Sequence, residues 1–221
     1  MVYEYLIGAS IFAAPWLILF WLRKDLHKKM LWSSIAAMFT VGFGFLFVPE
    51  YWSPNTLFDL APLEIEGFIL MFFVGGISSV LYTMLFMKKE AKDRKRHPLH
   101  YLILLVMPLS FLLTKSLLDF NVAYHFSIAL LAGAIGISII RKDLFKESFF
   151  GGLAFAVVYF VLFEIIILIF PDFVGYWNLS NLSQIFILGT PIEELLMAFT
   201  FGALWAPLYE DIRNYRLKRL G

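Results

Sequence analysis

Residues 149–170 read FFGGLAFAVVYFVLFEIIILIF and contain a single charged side chain, Glu164. A helix of this length can cross the ~30 Å hydrocarbon core of a bilayer, which needs about 20 apolar residues. The whole chain has this character, since 61% of its 221 residues are hydrophobic and only 16% are charged. A soluble domain carries about 25% charged residues. The sequence therefore predicts an integral membrane protein and excludes a cytosolic enzyme, a nucleic-acid-binding protein and a secreted disulfide-rich domain.

Apolar runs of similar length recur along the chain, and we count seven. Their approximate bounds are 3–22, 31–49, 62–87, 99–118, 124–140, 149–170 and 184–209. The predicted class is therefore all-α, a seven-transmembrane helix bundle that forms one integral membrane domain over residues 1–221. The first run begins without a basic segment, which indicates a retained span rather than a cleaved signal.

The lysines and arginines predict the orientation of this bundle. All but one of the 18 fall within residues 23–29, 88–96, 141–146 and 213–219, which follow the first, third, fifth and seventh runs. Under the positive-inside rule these segments face the cytoplasm. We therefore expect a multi-pass protein of the cell membrane, with its N-terminus outside and its C-terminus in the cytoplasm.

An internal repeat is visible in the order of short motifs. Arg23-Lys24-Asp25-Leu26 recurs as Arg141-Lys142-Asp143-Leu144. Further matches in the same order are Pro49-Glu50 with Pro171-Asp172, Tyr51-Trp52 with Tyr176-Trp177, and Pro62-Leu63-Glu64 with Pro191-Ile192-Glu193. We interpret this as a duplication, with repeat 1 at about 1–90, a connecting helix at about 98–119 and repeat 2 at about 120–212. Three spans per repeat and one connecting span make the repeats parallel.

Each repeat places a glutamate two residues after a proline, at the predicted outer start of its last helix. These glutamates are Glu64 and Glu193, and each has a second acid close by, Glu66 and Glu194. One interpretation is structural, because a helix start favours proline and a carboxylate. The other is functional: adjacent side chains lie about 100° apart around a helix, so one acid of each pair can face the bundle interior. Proline spacing favours Glu64 and Glu193 as the inward pair.

Two more charged residues fall within predicted spans. Glu164 lies deep in the sixth run, where an unpaired charge costs roughly 2.5 kcal/mol or more, so it is a functional candidate or a protonated acid bonded to a neighbouring helix. Lys115 lies in the outer part of the fourth run. It either extends to the interface or acts as a counter-ion for the acids at the two Pro-x-Glu helices.

These motifs together carry a family resemblance. Two three-span units, each with Pro-x-Glu at the start of its last helix, resemble the membrane-integral lycopene cyclases, a cofactor-free family of carotenoid biosynthesis. Pro191-Ile192-Glu193-Glu194 is similar to the family's Pro-x-Glu-Glu motif, and Tyr176-Trp177-Asn178 supplies an aromatic stretch before it. In the first repeat Ile65 stands where the second glutamate belongs. The resemblance covers essentially the whole chain.

The resemblance implies an isomerase that cyclises the end group of a linear, lycopene-like polyene within the membrane. It implies an acid that protonates a terminal alkene and a base that later removes a proton, with no metal and no cofactor. Our hypothesis is that Glu193 is the leading acid or base, Glu64 its symmetry partner, and Glu194 and Glu164 the supporting proton-transfer groups. Trp177, Tyr176, Trp52 and Lys115 are the substrate-binding candidates. The partners expected are the polyene and the lipid bilayer, without nucleic acid; the oligomeric state is open.

Three alternatives compete with this hypothesis. A retinal protein needs a lysine in its last span, and residues 184–209 contain none. An intramembrane protease of the Glu-Glu-x-x-x-Arg type has Ala198 at its arginine position here. The third is a non-enzymatic carotenoid- or lipid-binding membrane protein, or a small transporter, of the same fold. Cysteines are absent and the four histidines show no zinc-binding spacing, so thiol and zinc chemistry are not predicted.

Overall fold

A computed structural model describes residues 3–58, 64–92 and 100–219, without the side chains of residues 100–104. Within this part of the chain the regular secondary structure is helical except for two short two-stranded ribbons and one isolated β-bridge, with loops between the helices. The predicted all-α class is therefore confirmed. Asp59, Pro62 and Leu63, together with the cations Arg94, Lys95 and Arg96, lie outside the described residues.

The first half of the chain forms three helical segments and a strand. The first segment consists of α1 (Glu4–Ile11) and α2 (Ala13–Leu22). The second consists of a 3₁₀ turn (Lys24–Leu26), α3 (His27–Met38), a second 3₁₀ turn (Phe39–Phe43) and α4 (Gly44–Phe47). The third is α5 (Ile65–Leu85), which is followed by strand β1 (Lys88–Lys92).

The second half contains four long helices. These are α6 (His100–Leu117), α7 (Val122–Ile140), α8 (Phe145–Ile169) and α9 (Ile192–Arg213). A 3₁₀ turn (Lys142–Leu144) precedes α8, and two more (Pro171–Tyr176 and Leu179–Asn181) follow it. Short strands β2 (Phe186–Ile187) and β3 (Thr190–Pro191) form a hairpin before α9, and β4 (Tyr215–Arg219) follows it.

Five helical segments are long and apolar enough to cross a membrane. They are Glu4–Leu22, Lys24–Phe47, Ile65–Leu85, Val122–Ile140 and Lys142–Ile169. Of the remaining two, α6 has a shorter apolar part, Leu105–Leu117, and α9 contains five charged residues. The lengths and composition of these helices are consistent with the predicted multi-pass membrane protein.

Two predicted spans begin at different residues in the structure. The second was expected to begin at residue 31, with Lys29 in a cytoplasmic loop, but α3 begins at His27 and the Lys29 side chain is fully buried. Hydropathy could not predict this, because the charge of Lys29 is neutralised by acids from distant helices. The seventh was expected to begin at residue 184, but residues before Ile192 form the β2–β3 hairpin.

Glycines allow close helix contacts in both halves. A Cβ atom on Gly75 of α5 would lie 2.6 Å from the backbone oxygen of Ser33 in α3. A Cβ atom on Gly202 of α9 would lie 2.8 Å from Cβ of Phe155 in α8. Real Cβ atoms do not approach this closely, so these helix pairs pack against each other because both positions lack a side chain.

Matching arginine turns precede α3 and α8. Arg23 and Arg141 have similar backbone angles, φ −125° and ψ 70° against φ −120° and ψ 74°. Each arginine binds the aspartate two residues later, with Nη2 to carboxylate distances of 2.7 Å to Asp25 and 2.8 Å to Asp143. The recurring tetrapeptide therefore has the same local structure in both places.

The two halves also meet at both ends of the bundle. At one end β1 pairs with β4 in antiparallel register, with Lys88 opposite Arg219 and Lys92 opposite Tyr215. At the other end Trp52 and Trp177 form an antiparallel β-bridge. The Ser53 backbone nitrogen donates to the Tyr176 oxygen at 2.8 Å, and the Asn178 nitrogen donates to the Tyr51 oxygen at 2.9 Å. These contacts join the segment between α4 and α5 to the segment between α8 and α9.

Candidate active site

A cavity of about 220 Å³ lies between α1, α4, α5, α7, α8 and α9. Its lining carries two carboxyl side chains, Glu64 and Glu194. Nine aromatic residues contribute to its wall: Tyr5, Phe47, Tyr51, Trp52, Phe126, Phe155, Tyr159, Phe163 and Phe201. The site therefore combines an apolar, π-rich chamber with two groups that can exchange protons.

Glu194 is held by three hydrogen-bond donors. It lies in the first turn of α9 and is 7% exposed. The Tyr159 hydroxyl donates to its Oε1 at 2.5 Å, the Trp177 Nε1–H donates to its Oε2 at 3.1 Å, and the Tyr51 hydroxyl also donates to Oε2. An indole nitrogen can only donate, so this cage suits a carboxylate, whose oxygens each accept more than one bond. The helix N-terminus favours the same charged form.

Tyr51 keeps its proton in this cage. It is 3% exposed, and it lies in the segment between α4 and α5. Burial, with the charge of Glu194 adding to it, raises the pKa of the Tyr51 hydroxyl well above its ordinary value. The phenol is therefore a permanent donor to Glu194 over the physiological pH range.

Glu64 has a different environment. It is the residue before α5, it is 7% exposed, and no described residue donates a hydrogen bond to its carboxyl group. Burial, with the nearby charge of Glu66 adding to it, raises the pKa of Glu64 to about 7. The two carboxyl groups of the cavity therefore differ. Glu64 has no hydrogen-bond donor among the described residues and is partly protonated near neutral pH, whereas Glu194 accepts hydrogen bonds from three donors.

Glu193 does not line this cavity. Its Oε1 accepts hydrogen bonds from the Tyr124 hydroxyl at 2.6 Å and from the Ser183 backbone nitrogen at 2.7 Å. Glu66 makes a similar contact in the first half, since its Oε1 accepts from the Leu57 nitrogen at 2.8 Å. Both carboxylates fasten the loop that precedes their own helix.

Glu164 also binds a loop. Its Oε1 accepts hydrogen bonds from the Thr190 hydroxyl at 2.7 Å and from the Gly189 nitrogen at 3.1 Å. The carboxylate on α8 therefore anchors the β2–β3 hairpin, and it is not part of the cavity lining. Its depth in an apolar run is explained by these polar partners from a segment far along the chain.

The predicted substrate-binding residues are distributed around the site. Trp52 lines the cavity and Trp177 holds Glu194, whereas the Tyr176 hydroxyl donates to Glu4 at 2.8 Å. The Lys115 ammonium lies 3.4 Å from Glu50, and its side chain is 45% exposed. The structure therefore brings two tryptophans to the site and leaves Lys115 at the surface.

Two residues of the site escaped the sequence reasoning. Tyr159 lies on α8 among apolar residues without a motif, and Tyr51 was noted only as part of a repeated Tyr-Trp pair. Their common signal is that each is a buried tyrosine, and a buried hydroxyl needs a partner. Which partner it finds depends on the packing of α8 and α9, which one sequence does not reveal.

A second group of buried charges lies away from the cavity. The Lys29 ammonium contacts Oε1 of Glu147 at 3.0 Å and Oε1 of Glu210 at 2.5 Å. All three side chains are at most 1% exposed. This triad joins α3 to α8 and α9, and therefore joins the two halves of the chain.

No group of three or more histidine, aspartate or glutamate side chains is placed to hold a metal ion in the described part of the chain. The carboxylates of the cavity are instead surrounded by aromatic rings and phenols. The chemistry available from these residues is proton transfer in a site with little water.

Comparison with known proteins gives one family. A family model described as lycopene cyclase matches residues 4–71 and 121–212, well over half of the chain. No curated protein and no solved structure matches this chain. The matched segments include Glu64, Glu194 and all three residues that donate to Glu194. The match gives no support to the alternative of a non-enzymatic binding protein or transporter.

Proposed function

The chain belongs to the lycopene cyclase family, and from this premise we propose that it cyclises the end group of a linear carotenoid in the cavity between Glu64 and Glu194. Family membership supports a carotenoid cyclase-like role. The observation that carries the mechanism is the presence of two unlike carboxyl groups in one aromatic chamber. The substrate class that fits such a chamber is an apolar polyene.

The reaction is an isomerisation, so it needs one proton donor and one proton acceptor. The acid gives a proton to the terminal trisubstituted alkene, which forms a tertiary carbocation. A neighbouring double bond attacks this cation, and the new carbon–carbon bond closes a six-membered ring with the positive charge on another carbon. The base then removes a proton from a carbon next to that charge. Proton number and oxidation state are unchanged, so no redox partner is required.

We assign the acid to Glu64. A pKa near 7 keeps a substantial fraction of this carboxyl protonated at neutral pH. Because its carboxyl group makes no hydrogen bond to a described residue, its proton is not held by an acceptor of the protein and can be directed at the substrate. General acid catalysis by such a group contributes about 10²- to 10⁴-fold in rate.

We assign the base to Glu194. Its three donors support the charged form, and Oε1 accepts only the Tyr159 hydrogen bond, so this oxygen keeps a lone pair for the substrate proton. The negative charge of this carboxylate, held in place by its donors, also stabilises the carbocation before the proton is removed. The two carboxyl groups differ in their hydrogen bonding, since Glu194 accepts from three donors and Glu64 from none of the described residues, and this difference is the basis for the two roles.

The aromatic lining supports the cationic intermediate. Positive charge over the face of a tyrosine, phenylalanine or tryptophan ring is stabilised by about 0.5–2 kcal/mol. Tyr159 and Phe163 are stacked with ring centroids 4.5 Å apart, and Trp52 packs at 5.3 Å from Trp177. These rings are held rigidly beside the carboxylates.

The other predicted acids have supporting roles in this proposal. We propose that Glu193 positions Glu194 by tying the Ser183 loop and Tyr124 to the start of α9. Glu164 holds the hairpin that leads into the same helix. Lys115 forms an ion pair with Glu50 at the protein surface and takes no part in the proposed reaction.

We further propose that the chain is a duplicated unit that crosses the membrane seven times. The paired arginine turns support this because they have the same backbone geometry, and the β1–β4 ribbon and the Trp52–Trp177 bridge support it because each joins corresponding segments of the two halves. The starts of α5 and α9 match Ile65 with Ile192, which makes Glu66 the counterpart of Glu193 and Gly67 the counterpart of Glu194. Apart from Lys115, the exposed cations of the described residues lie at the ribbon end, which we place in the cytoplasm.

The test is expression in cells that accumulate lycopene, with the pigments separated by chromatography. The intact chain is expected to produce ring-bearing carotenoids, and Glu64→Gln is expected to reduce their yield about 100-fold or more because the acid is lost. Glu50→Gln removes an exposed acid from the same end and is the matched control, with unchanged yield. Unchanged acyclic pigment with the intact, membrane-inserted chain would refute the proposed function.

A further inference from the structure

The β1–β4 ribbon has two chemically different faces. Cross-strand partners point to the same side of a ladder, so Lys89 with Lys218 and Ala91 with Arg216 form one face. The other face carries Glu90 opposite Leu217, both half-buried against the bundle, flanked by the pairs Lys88–Arg219 and Lys92–Tyr215. Lys89, Arg216 and Lys218 are exposed. The outward face of the ribbon therefore carries three cations and Ala91, and no acidic residue.

The register of the ribbon brings like charges together. Lys89 lies directly opposite Lys218, and Lys88 lies opposite Arg219. Like charges in directly opposed positions destabilise a strand pair. No described acidic residue forms an ion pair with Lys89, Arg216 or Lys218. The ribbon forms in spite of its outward charges, which leaves them free to bind an external anion.

The surroundings of the ribbon add to its positive field. Lys24, Lys28, Lys142 and Lys146 are exposed and belong to the two arginine-turn segments. The aspartates of these turns are already bound by Arg23 and Arg141. The arginines also hold the ribbon, because Arg23 donates to the Lys88 oxygen at 2.5 Å and Arg141 donates to the Tyr215 oxygen at 2.6 Å. The cationic face is thus fixed in position rather than mobile.

We propose that this outward face, formed by Lys89, Arg216 and Lys218, binds the phosphate headgroups of anionic phospholipids. The inference rests on the membrane placement proposed above and is independent of the catalytic assignment. The ribbon directly follows α5 and α9, so it lies at the level where those helices end. Cations close to a bilayer surface gain about 1 kcal/mol each from anionic lipid, which exceeds the repulsion within a surface pair.

The test uses the full chain purified in a neutral detergent. Binding of phosphatidylglycerol and of phosphatidylcholine is measured by native mass spectrometry at increasing lipid concentration. The intact protein is expected to prefer phosphatidylglycerol. The double variant Lys89→Gln/Lys218→Gln is expected to bind it about 30-fold more weakly, from the loss of two surface cations. Raising the ionic strength should reduce the preference of the intact protein.

The matched control is Lys24→Gln/Lys142→Gln, which removes two exposed cations from the same end of the bundle but leaves the ribbon intact. This variant should bind phosphatidylglycerol nearly as well as the intact protein. Equal losses in the two double variants would overturn the proposal, because the effect would then come from overall charge. No preference between the two lipids in the intact protein would overturn it as well.

Two further readings separate lipid binding from other causes. In phosphatidylcholine the ribbon variant should have a melting temperature equal to or higher than that of the intact protein, because like-charge repulsion is removed. A lower melting temperature would indicate that the two lysines have a structural role, and would contradict the proposal. Inorganic phosphate at millimolar concentration should not displace the lipid. Displacement would assign the site to free phosphate instead. Cyclase activity is not part of either reading, so failure here leaves the proposed function untouched.

Discussion

The helices α5 and α9 both begin after a residue with an extended backbone, but their first turns carry different side chains. In α5 the order is Glu64-Ile65-Glu66-Gly67, and in α9 it is Pro191-Ile192-Glu193-Glu194. Gly67 and Glu194 both line the cavity. One half therefore contributes space where the other contributes the carboxylate with three donors.

The buried triad shows the same kind of asymmetry. Lys29 and Glu147 hold equivalent positions after the two arginine turns, and they bind each other. Glu210 on α9 corresponds to Thr83 on α5, a residue with no charge. The comparison teaches that the matched features of the two halves build the frame, whereas the proposed proton chemistry and the buried Lys29 triad occur where the halves differ.

The largest effect is expected where Glu194 differs from Gly67. Glu194→Gln should lower turnover of lycopene by about 10²- to 10⁴-fold, because the base and the counter-charge of the cation are both lost. The rate is measured with purified protein and lycopene in mixed micelles. Glu50→Gln is the control, since it removes a carboxyl group that does not line the cavity. Equal losses in the two variants would contradict the role assigned to Glu194.

The Lys29 triad should dominate stability. Lys29→Met leaves Glu147 and Glu210 buried without their cation and should lower the free energy of unfolding by about 3–5 kcal/mol. Thermal unfolding in detergent, followed by circular dichroism, measures this. The triple variant Lys29→Met/Glu147→Met/Glu210→Met should recover most of the loss, because no charge remains buried. If the triple variant were less stable than Lys29→Met, the triad would have to act through more than charge pairing.

The glycine contacts should respond alike in the two halves. Gly75→Ala and Gly202→Ala each force an atom into a space that is already filled, which costs about 1–3 kcal/mol. The melting temperatures of the two variants should fall by similar amounts. A fall in only one of the two melting temperatures would show that the helices do not pack equally closely at Gly75 and at Gly202.

The acid role of Glu64 predicts a pH profile. Its pKa of about 7 means that the protonated form is complete well below pH 7 and is lost as the pH rises through that value. The rate at low lycopene concentration should therefore fall about tenfold per unit above about pH 7. Glu50→Gln should keep this profile. A rate that stays flat up to about pH 9 would exclude Glu64 as the acid.

The smallest effect is expected at the exposed ion pair between Lys115 and Glu50. Lys115→Gln removes an ion pair in which both side chains are more than one third exposed, so unfolding should change by about 0–1 kcal/mol. Turnover should stay the same. A large loss of turnover would indicate that Lys115 does bind the substrate.

Much of the frame could be predicted from the sequence because it depends on local composition. The long apolar runs located the helices, and the recurring Arg-Lys-Asp-Leu motif marked two turns that have the same geometry. Helix ends were less certain, since Lys29 looked like a loop residue. Its burial requires Glu147 and Glu210, which lie far away along the chain.

The side chains of the site were harder to predict because they depend on helix rotation. Glu193 and Glu194 are neighbours, and hydropathy does not say which of them faces inward. The answer lies in Tyr51, Tyr159 and Trp177, which come from three separate segments and converge on Glu194. Glu164 was singled out for its apolar surroundings, yet the hairpin that satisfies it is invisible in a hydropathy profile.

The size of the cavity has a consequence for a substrate with two identical termini. In the proposed mechanism, a chamber of about 220 Å³ with one acid and one base admits one terminus, while the remaining chain of a long polyene stays outside. A molecule that is to receive rings at both termini must therefore leave, reverse and return. Between the two visits it is a free, half-converted intermediate in competition with fresh substrate, so abundant substrate favours the one-ringed product and scarce substrate favours the two-ringed one.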